Sequence, residues 1–265
     1  MTDADRGQVA TTAAEVYEEF FIPALFGQWP ERLLGAAEVA AGHSVLDVGC
    51  GTGVLARAAA RRVGDSGRIV GIDPNAGMLV VAERAPDRVE WTTGVAESLP
   101  FEEGEFDRVM SQFVLMFLED RQRALSEMAR VVKADGRVAV ATWSSLDRTP
   151  GYEAMVDLLG DLFGDEAANA LTAPFTLGDP DELSTLLSTE FRDVSIMEHE
   201  GVARFDSIEA WVHTDIKGWT LSEMIDDDQY RLLLDKARDE LARFTNQSGN
   251  VRFAAPALIA TGTPR

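Results

Sequence analysis

Three alternating glycines form the part of the sequence best suited to holding a ligand. Residues 45–53 read VLDVGCGTG, so Gly49, Gly51 and Gly53 follow a short apolar run. Glycine lets the backbone turn sharply and approach a ligand with no side chain between them, and a helix that starts next offers free N–H groups and the positive end of its dipole. Such a loop suits a carboxylate or a phosphate.

A second candidate group is Asp73, which ends the segment Gly71-Ile72-Asp73. If this segment is the strand next to the first one, the Asp73 carboxylate can accept hydrogen bonds from both hydroxyls of a ribose. Together, the glycine loop and Asp73 describe a site for a nucleoside that carries an anionic group.

Two cofactor classes satisfy that description, because the segment Gly51-Thr52-Gly53-Val54-Leu55-Ala56 also fits the dinucleotide pattern G-x-G-x-x-A. On this interpretation the chain is a nicotinamide-dependent oxidoreductase. However, Asp47 lies two residues before the first glycine, where dinucleotide loops normally carry no acid. We also find no recognisable catalytic pair for hydride transfer.

Alternating strand and helix patterns position these residues. Strands are predicted at residues 44–48, 67–73, 89–93, 106–112 and 137–143, and helices at 54–62, 76–85 and 121–132. Short apolar runs that end at glycine are typical of buried parallel strands. This order predicts an α/β fold with a Rossmann-like, doubly wound sheet.

Helical patterns dominate after residue 144. Helices are predicted at 152–163, 180–187 and 227–244, and strands at 194–202 and 256–261. Two amphipathic segments rich in aromatic residues, 9–21 and 30–40, precede the first strand. We therefore predict one domain, in which residues 1–42 form a helical lid, 43–145 form the cofactor-binding core, and 146–265 add the remaining strands and a helical substrate cover.

Four motifs within residues 42–143 resemble the class I S-adenosylmethionine-dependent methyltransferases, especially the ubiquinone and menaquinone biosynthesis C-methyltransferases. They are VLDVGCGTG, GIDPN, GVAESLPFEEGEFDRVMS and RVVKADGRVAVATW, in the order of the family. The last one departs from the usual proline-glycine by reading Ala134-Asp135-Gly136. The resemblance implies a seven-stranded sheet, mostly parallel with one antiparallel strand near residues 256–261, and S-adenosylmethionine as cofactor. It also implies methyl transfer to carbon, oxygen or nitrogen of a small molecule.

The resemblance further implies a role for particular residues. Gly49, Gly51 and Gly53 would cradle the methionine part of the donor. Asp47 would help to hold its amino end, and Asp73 would bind the ribose. The residues around the adenine and the sulfonium would be Pro74, Met78, Ala96, Glu97, Gln112 and Phe113. Of these, Met78 and Phe113 equally fit plain core packing.

Aromatic residues in the predicted lid and cover suggest an acceptor that is small and partly lipophilic. Tyr17, Phe21 and Trp29 belong to the lid and either pack on the sheet or face the acceptor. Trp219 and His213 lie in the rear cover. A lone histidine there fits a surface or packing role better than that of a base.

No catalytic residue is predicted. The methyl group already sits on a sulfonium leaving group, so positioning and exclusion of water supply most of the acceleration and a base is optional. The family often has histidine after the fourth strand, but residues 113–118 read FVLMFL. The acids at 226–228 fit the start of a helix better than a metal site, so no metal is expected.

Composition limits the partners. A net charge of −21 and a pI near 4.4 argue against binding to nucleic acid or to an anionic membrane. Cys50 is the one cysteine, which excludes an intrachain disulfide. The polar, acidic start and the lack of a long apolar run lead us to expect a soluble cytoplasmic monomer or homodimer that acts on a small-molecule acceptor. A non-catalytic sensor of S-adenosylmethionine is a further alternative, which a closed, filled space beside Phe113 would favour.

Overall fold

One sheet of seven strands forms the centre of the computed structural model, which describes residues 11–217, 221 and 224–265. Its strands are β1 (Ser44–Val48), β2 (Arg68–Asp73), β3 (Val89–Thr93), β4 (Phe106–Gln112), β5 (Val132–Trp143), β6 (Phe191–His199) and β9 (Ala257–Pro264), while β7 (Val202–Phe205) and β8 (Val251–Ala254) pair separately. The order across the sheet is β3-β2-β1-β4-β5-β9-β6. Within this sheet β9 runs antiparallel to both of its neighbours, β5 and β6, and the other described pairs are parallel. The predicted fold class is confirmed.

Burial accounts for the central strands. In β1 and β2 every residue after the first is buried, as expected where helices cover both faces of a parallel sheet. The register pairs Asp47 with Gly71 and Asp73 with Thr93, so the carboxyl ends of these parallel strands share one edge of the sheet. Ligands of open α/β sheets bind at this edge.

Side-chain caps set where several helices begin. The helices are α1 (Thr11–Val16), α2 (Pro30–Ala36), α3 (Val54–Val63), α4 (Ala76–Ala82), α5 (Arg121–Val131), α6 (Pro150–Phe163), α7 (Asp165–Thr172), α8 (Pro180–Leu187), α9 (Ile208–Lys217) and α10 (Asp227–Glu240). Asn75 Oδ1 accepts the N–H groups of Gly77 and Met78 at the start of α4. Asp226 and Gln229 form a capping box at α10, so the acidic run supplies a helix cap.

The N-terminal segment differs from the predicted helix at 9–21. Residues 9 and 10 lie outside the described part, and α1 passes into a π-helical stretch at Tyr17–Phe26. Pro23 lies inside this stretch and has no N–H group, so α-helical bonding cannot continue through it. Gly27 N–H donates to the Ile22 carbonyl at 2.7 Å, a wider turn typical of π-helical bulges.

The rear of the molecule also differs from the prediction. The strand expected at 194–202 is two strands, because β6 ends at His199 and β7 begins at Val202. A Cβ on Gly201 would lie 2.2 Å from the Ala255 carbonyl oxygen, so the chain turns there with no room for a side chain. The partner of β7, β8, was not predicted. The division into lid, core and cover stays a prediction. Within the described ranges, every helix is too short or too polar to cross a membrane.

Candidate functional site

A cavity of about 460 Å³ lies along the carboxyl edge of the sheet. One end is bordered by Gly49 and Gly51 of the glycine loop and by Asp73. The other end is bordered by aromatic and aliphatic side chains of the cover, Phe175 and Leu171 among them. The volume falls in the range of about 300–1,000 Å³ that is typical of small-molecule sites. The two ends belong to one continuous space.

The glycine loop adopts a conformation that other residues rarely reach. The φ angles of Gly49, Gly51 and Gly53 are +70°, +54° and +93°. A Cβ on Gly49 would lie 2.5 Å from the Val114 side chain, and one on Gly53 would lie 2.3 Å from the Trp91 ring. A Cβ on Gly51 would meet nothing within 4 Å. Gly49 and Gly53 therefore let the loop pack closely, while Gly51 leaves open space beside the cavity.

Asp73 joins the loop to the start of α4. Its Oδ2 accepts the Gly51 N–H at 2.9 Å and its Oδ1 accepts the Asn75 N–H at 2.8 Å. Burial raises the pKa of Asp73, and these two hydrogen bonds oppose the rise. Each carboxylate oxygen retains a further lone pair, so Asp73 can accept hydrogen bonds from two ligand hydroxyl groups.

Asp47 is a buried carboxylate whose oxygens lack a well-formed hydrogen bond within the described residues. It is 1% exposed, and neither oxygen has a partner of good geometry in the described structure. Burial raises its pKa to about 8, the backbone amide of Ala56 opposes part of this rise, and the charge of Asp73 adds to it. A buried carboxylate is costly unless a donor or a cation pairs with it. Asp47 therefore fits the amino group of a ligand.

Replacing Asp47 with asparagine is expected to stabilise the ligand-free protein more at pH 8 than at pH 5. The folded-state pKa of Asp47 is raised to about 8, so the aspartate destabilises the fold increasingly as the pH rises from its unfolded pKa of about 4. Asparagine does not titrate, so it does not destabilise the fold in this pH-dependent way. Urea unfolding should show that the gain of Asp47→Asn over the wild type grows by about 3 kcal/mol between pH 5 and pH 8. An equal gain at both values would contradict the raised pKa.

Six further residues that are predicted to contact the methyl donor lie on the wall of the cavity. They are Pro74, Met78, Ala96, Glu97, Gln112 and Phe113. Gln112 Oε1 is buried with no partner in the described part of the chain. Phe113 has a φ of +58°, and its ring stacks on Trp143 with centroids 4.0 Å apart. Strained backbone of this kind costs about 1–3 kcal/mol and clusters at functional sites. Asp47 and Gly53 do not border the cavity.

The predicted acceptor contacts separate into two groups. Tyr17 and Phe21 border the cavity. Trp29 is fully buried and packs edge-on against Phe113 and Trp143, behind the wall. His213 packs edge-on against Phe20, and neither Trp29 nor His213 borders the cavity. Trp219 lies outside the described residues.

The N-terminal segment is tied to the glycine loop. Arg57 donates to Glu18 Oε1 at 3.0 Å and to the Thr52 carbonyl at 2.5 Å. Burial raises the pKa of Tyr17, and the charges of Asp73, Glu18 and Asp47 raise it further. The π-helical stretch thus forms one wall of the end that contains Asp73.

Sequence reasoning missed the polar groups at the other end of the cavity. Thr149, Tyr152 and Asp215 border it, and the Tyr152 hydroxyl donates to Asp215 Oδ1 at 3.2 Å. One signal was available. Asp215 follows Trp211 by four residues and Val212 by three, and this spacing puts its carboxylate on the apolar face of α9. His213, the predicted acceptor contact on this helix, lies off that face.

Known proteins are similar in sequence to the part of the chain that contains the glycine loop and Asp73. The family model described as a methyltransferase domain matches residues 46–140. The ubiquinone/menaquinone biosynthesis C-methyltransferase UbiE of Hahella chejuensis is 38% identical over 122 residues, which are 44% of this chain and 49% of that protein. This alignment spans about half the length of the relative. The demethylmenaquinone methyltransferase of Staphylococcus carnosus is 31% identical over 188 residues, 65% of this chain and 78% of that protein.

Solved structures share the fold. The phosphoethanolamine N-methyltransferase 2 of Haemonchus contortus has a TM-score of 0.62 at 18% identity, and the match covers 98% of this chain and 59% of that one. A putative methyltransferase of an antibiotic biosynthesis pathway in Anabaena variabilis has a TM-score of 0.62 at 17% identity, covering 89% and 96%. Together with the 78% coverage of the Staphylococcus carnosus enzyme, the ordered motifs and the sheet show that the chain belongs to the class I S-adenosylmethionine-dependent methyltransferases.

Proposed function

We propose that this protein transfers a methyl group from S-adenosylmethionine to a small, lipophilic acceptor held in the same cavity. The observation that carries this proposal is the continuity of the cavity, which runs from Asp73 and the glycine loop past Phe113 to the apolar end. A methyl transfer in line with the departing sulfur needs donor and acceptor side by side with water excluded. One continuous cavity with a polar and an apolar end holds donor and acceptor side by side.

The residues of the polar end fit the donor. Asp73 has free lone pairs for the two ribose hydroxyls. Asp47 does not border the cavity, and its buried carboxylate favours a ligand amino group through its charge. The open space at Gly51 accommodates the methionine part. When bound, S-adenosylmethionine supplies a methyl group on a positively charged sulfur that departs as a neutral thioether. Phe113 and Gln112 border the place where this sulfur lies in our proposal.

The apolar end fits an acceptor with a ring system. Trp143, Phe175 and Leu171 line it, and large apolar walls favour a lipophilic ligand. The relatives are named for menaquinone and ubiquinone methylation, so a quinone-like acceptor methylated on carbon is the leading candidate. The sensor alternative required a closed, filled space beside Phe113, whereas the cavity borders that residue. The nicotinamide alternative has no support from the family match.

Filling the apolar end should separate donor binding from methyl transfer. Leu171 is 4% exposed and borders this end, so Leu171→Trp places an indole where the acceptor lies. We expect the affinity for S-adenosylhomocysteine to stay within about twofold of wild type. Methyl transfer should fall about 100-fold, because the indole takes the space that the acceptor needs. Transfer is measured with radiolabelled S-adenosylmethionine and 2-prenyl-1,4-naphthoquinol as acceptor.

The matched control is Leu232→Trp, which makes the same change at an exposed position of α10. It should transfer methyl groups like the wild type. If Leu171→Trp retains full transfer, the acceptor does not occupy this end. If the wild-type protein binds S-adenosylhomocysteine but methylates neither the quinol nor simple phenols and amines, the proposal of an enzyme is wrong.

A further inference from the structure

Three polar side chains are buried in the apolar end of the cavity. Asp215 is 2% exposed, Tyr152 is 6% exposed and Thr149 is fully buried. All three border the cavity, together with the apolar side chains of Leu171 and Phe175. Buried polar groups are almost always hydrogen-bonded, so any unmade bond here calls for an explanation.

Two of the expected hydrogen bonds are missing. The Tyr152 hydroxyl donates to Asp215 Oδ1 at 3.2 Å. Asp215 Oδ2 and Thr149 Oγ1 have no partner in the part of the chain that the structure describes. Leaving such groups unpaired costs about 1–3 kcal/mol each. A ligand hydroxyl can donate to a carboxylate oxygen and accept from a threonine, so it would satisfy both kinds of group.

The charge state of Asp215 suits a proton acceptor. Burial raises its pKa to about 7, and the side chains of Tyr152 and Trp211 oppose the rise. Burial and the charge of Asp215 also raise the pKa of Tyr152, which therefore remains a hydrogen-bond donor. Tyr152 is the titratable group that contacts Asp215 among the described residues, and it comes from α6. A general base works best when its pKa lies near the working pH.

We propose that Asp215 accepts the proton of a hydroxyl group on an aromatic or enolic acceptor, with Tyr152 positioning the carboxylate. This inference rests on the proposed function, because the acceptor binds in the cavity that holds the donor. The O–H bond breaks and its proton goes to Asp215 Oδ2. The electron pair left on the oxygen, or on a ring carbon conjugated with it, forms the new bond to the methyl carbon, while the C–S bonding pair goes to sulfur.

Binding of a hydroxyl probe tests this role without turnover. We would titrate wild-type protein, saturated with S-adenosylhomocysteine, with 1-naphthol and with its methyl ether, 1-methoxynaphthalene. A hydrogen bond to a charged group is worth about 1.5–3 kcal/mol, so 1-naphthol should bind about tenfold or more tightly than the ether. Asp215→Asn places an amide donor beside the ligand and should reduce this preference to below about threefold.

The control variant is Glu209→Gln, which removes an exposed carboxylate from the same helix and should keep the full preference. The preference of the wild type should also fall as the pH drops below about 7, because protonation removes the charge on Asp215. Tyr152→Phe removes a hydrogen bond that lowers the pKa of Asp215, so this pH midpoint should move upward. A purely structural role for Tyr152 would leave the midpoint unchanged.

The outcomes separate the two proposals. If the wild-type protein does not bind S-adenosylhomocysteine, the proposed function fails and this inference fails with it. If S-adenosylhomocysteine binds equally well to wild type and Asp215→Asn, the donor site is intact in both. In that case, three results would overturn the role of Asp215 alone. The wild type could bind neither probe, it could bind both equally, or Asp215→Asn could keep the preference for 1-naphthol.

Discussion

Replacing Asp73 with alanine is expected to weaken S-adenosylhomocysteine binding at least about 100-fold. The carboxylate has lone pairs for two ribose hydroxyls, and each hydrogen bond to a charged acceptor is worth about 1.5–3 kcal/mol, while 1.4 kcal/mol corresponds to tenfold in affinity. The alanine also releases the N–H groups of Gly51 and Asn75, which are now fixed by this side chain. The loop then loses its shape in addition to its ligand contact. Calorimetric titration measures the effect.

Two controls make the Asp73 result specific. Asp73→Asn keeps one acceptor oxygen and should fall between wild type and alanine. Glu83→Gln changes an exposed carboxylate just after α4 and should bind normally. NAD should show no heat in any variant. Retention of binding within about threefold in Asp73→Ala would contradict the assignment of Asp73, and binding of NAD alone would point back to the dinucleotide interpretation of the loop.

Gly53→Ala is expected to lower the free energy of unfolding by about 2–5 kcal/mol. A left-handed backbone costs a residue with a side chain about 1–2 kcal/mol, and overpacking adds about 1–3 kcal/mol. The φ of Gly53 is +93°, and its Cβ would lie 2.3 Å from the Trp91 ring. Urea unfolding of the ligand-free protein measures the loss.

Gly51→Ala is the matched comparison, because its φ is +54° but its Cβ would meet nothing within 4 Å. It should lose only about 1–2 kcal/mol of stability from the backbone conformation. Its larger effect should be on donor affinity, since the methyl group enters the open space beside the cavity. Adding Trp91→Leu to Gly53→Ala should recover part of the loss. Equal stability of the two alanine variants would show that Trp91 does not restrict Gly53.

The glycine loop and the place of Asp73 at the end of β2 could be predicted from the sequence, because both depend on local chemistry. Gly49 and Gly51 adopt positive φ angles, and Asp73 accepts the N–H group of Asn75 two residues further on, and such needs leave a short motif. The alternation of β-strands and helices likewise follows from local apolar runs. These features constrain residue types at fixed spacing, which a single sequence displays.

The proposed acceptor end has no comparable motif. Tyr152 and Asp215 are 63 positions apart and meet only because the fold brings α6 and α9 to the same cavity. Trp29 looked like an acceptor contact because it is aromatic and precedes the core, yet it fills the space behind Phe113. Residue type alone does not tell which side of a wall an aromatic ring occupies. The division of residues 194–202 into two strands depended on Gly201, whose tight contact with Ala255 is also long-range.

Different stretches of the chain form the two ends of the cavity, so the residues of one end can change while those of the other stay the same. The family model covers residues 46–140, which include Gly49, Gly51 and Asp73, whereas Thr149, Tyr152 and Asp215 lie beyond it. Substitutions after β5 can reshape the proposed acceptor end with no change in the residues that we propose to hold the donor. Relatives can therefore inherit one methyl donor while diverging in what they modify, and kinship with quinone methyltransferases carries information about the first far better than about the second.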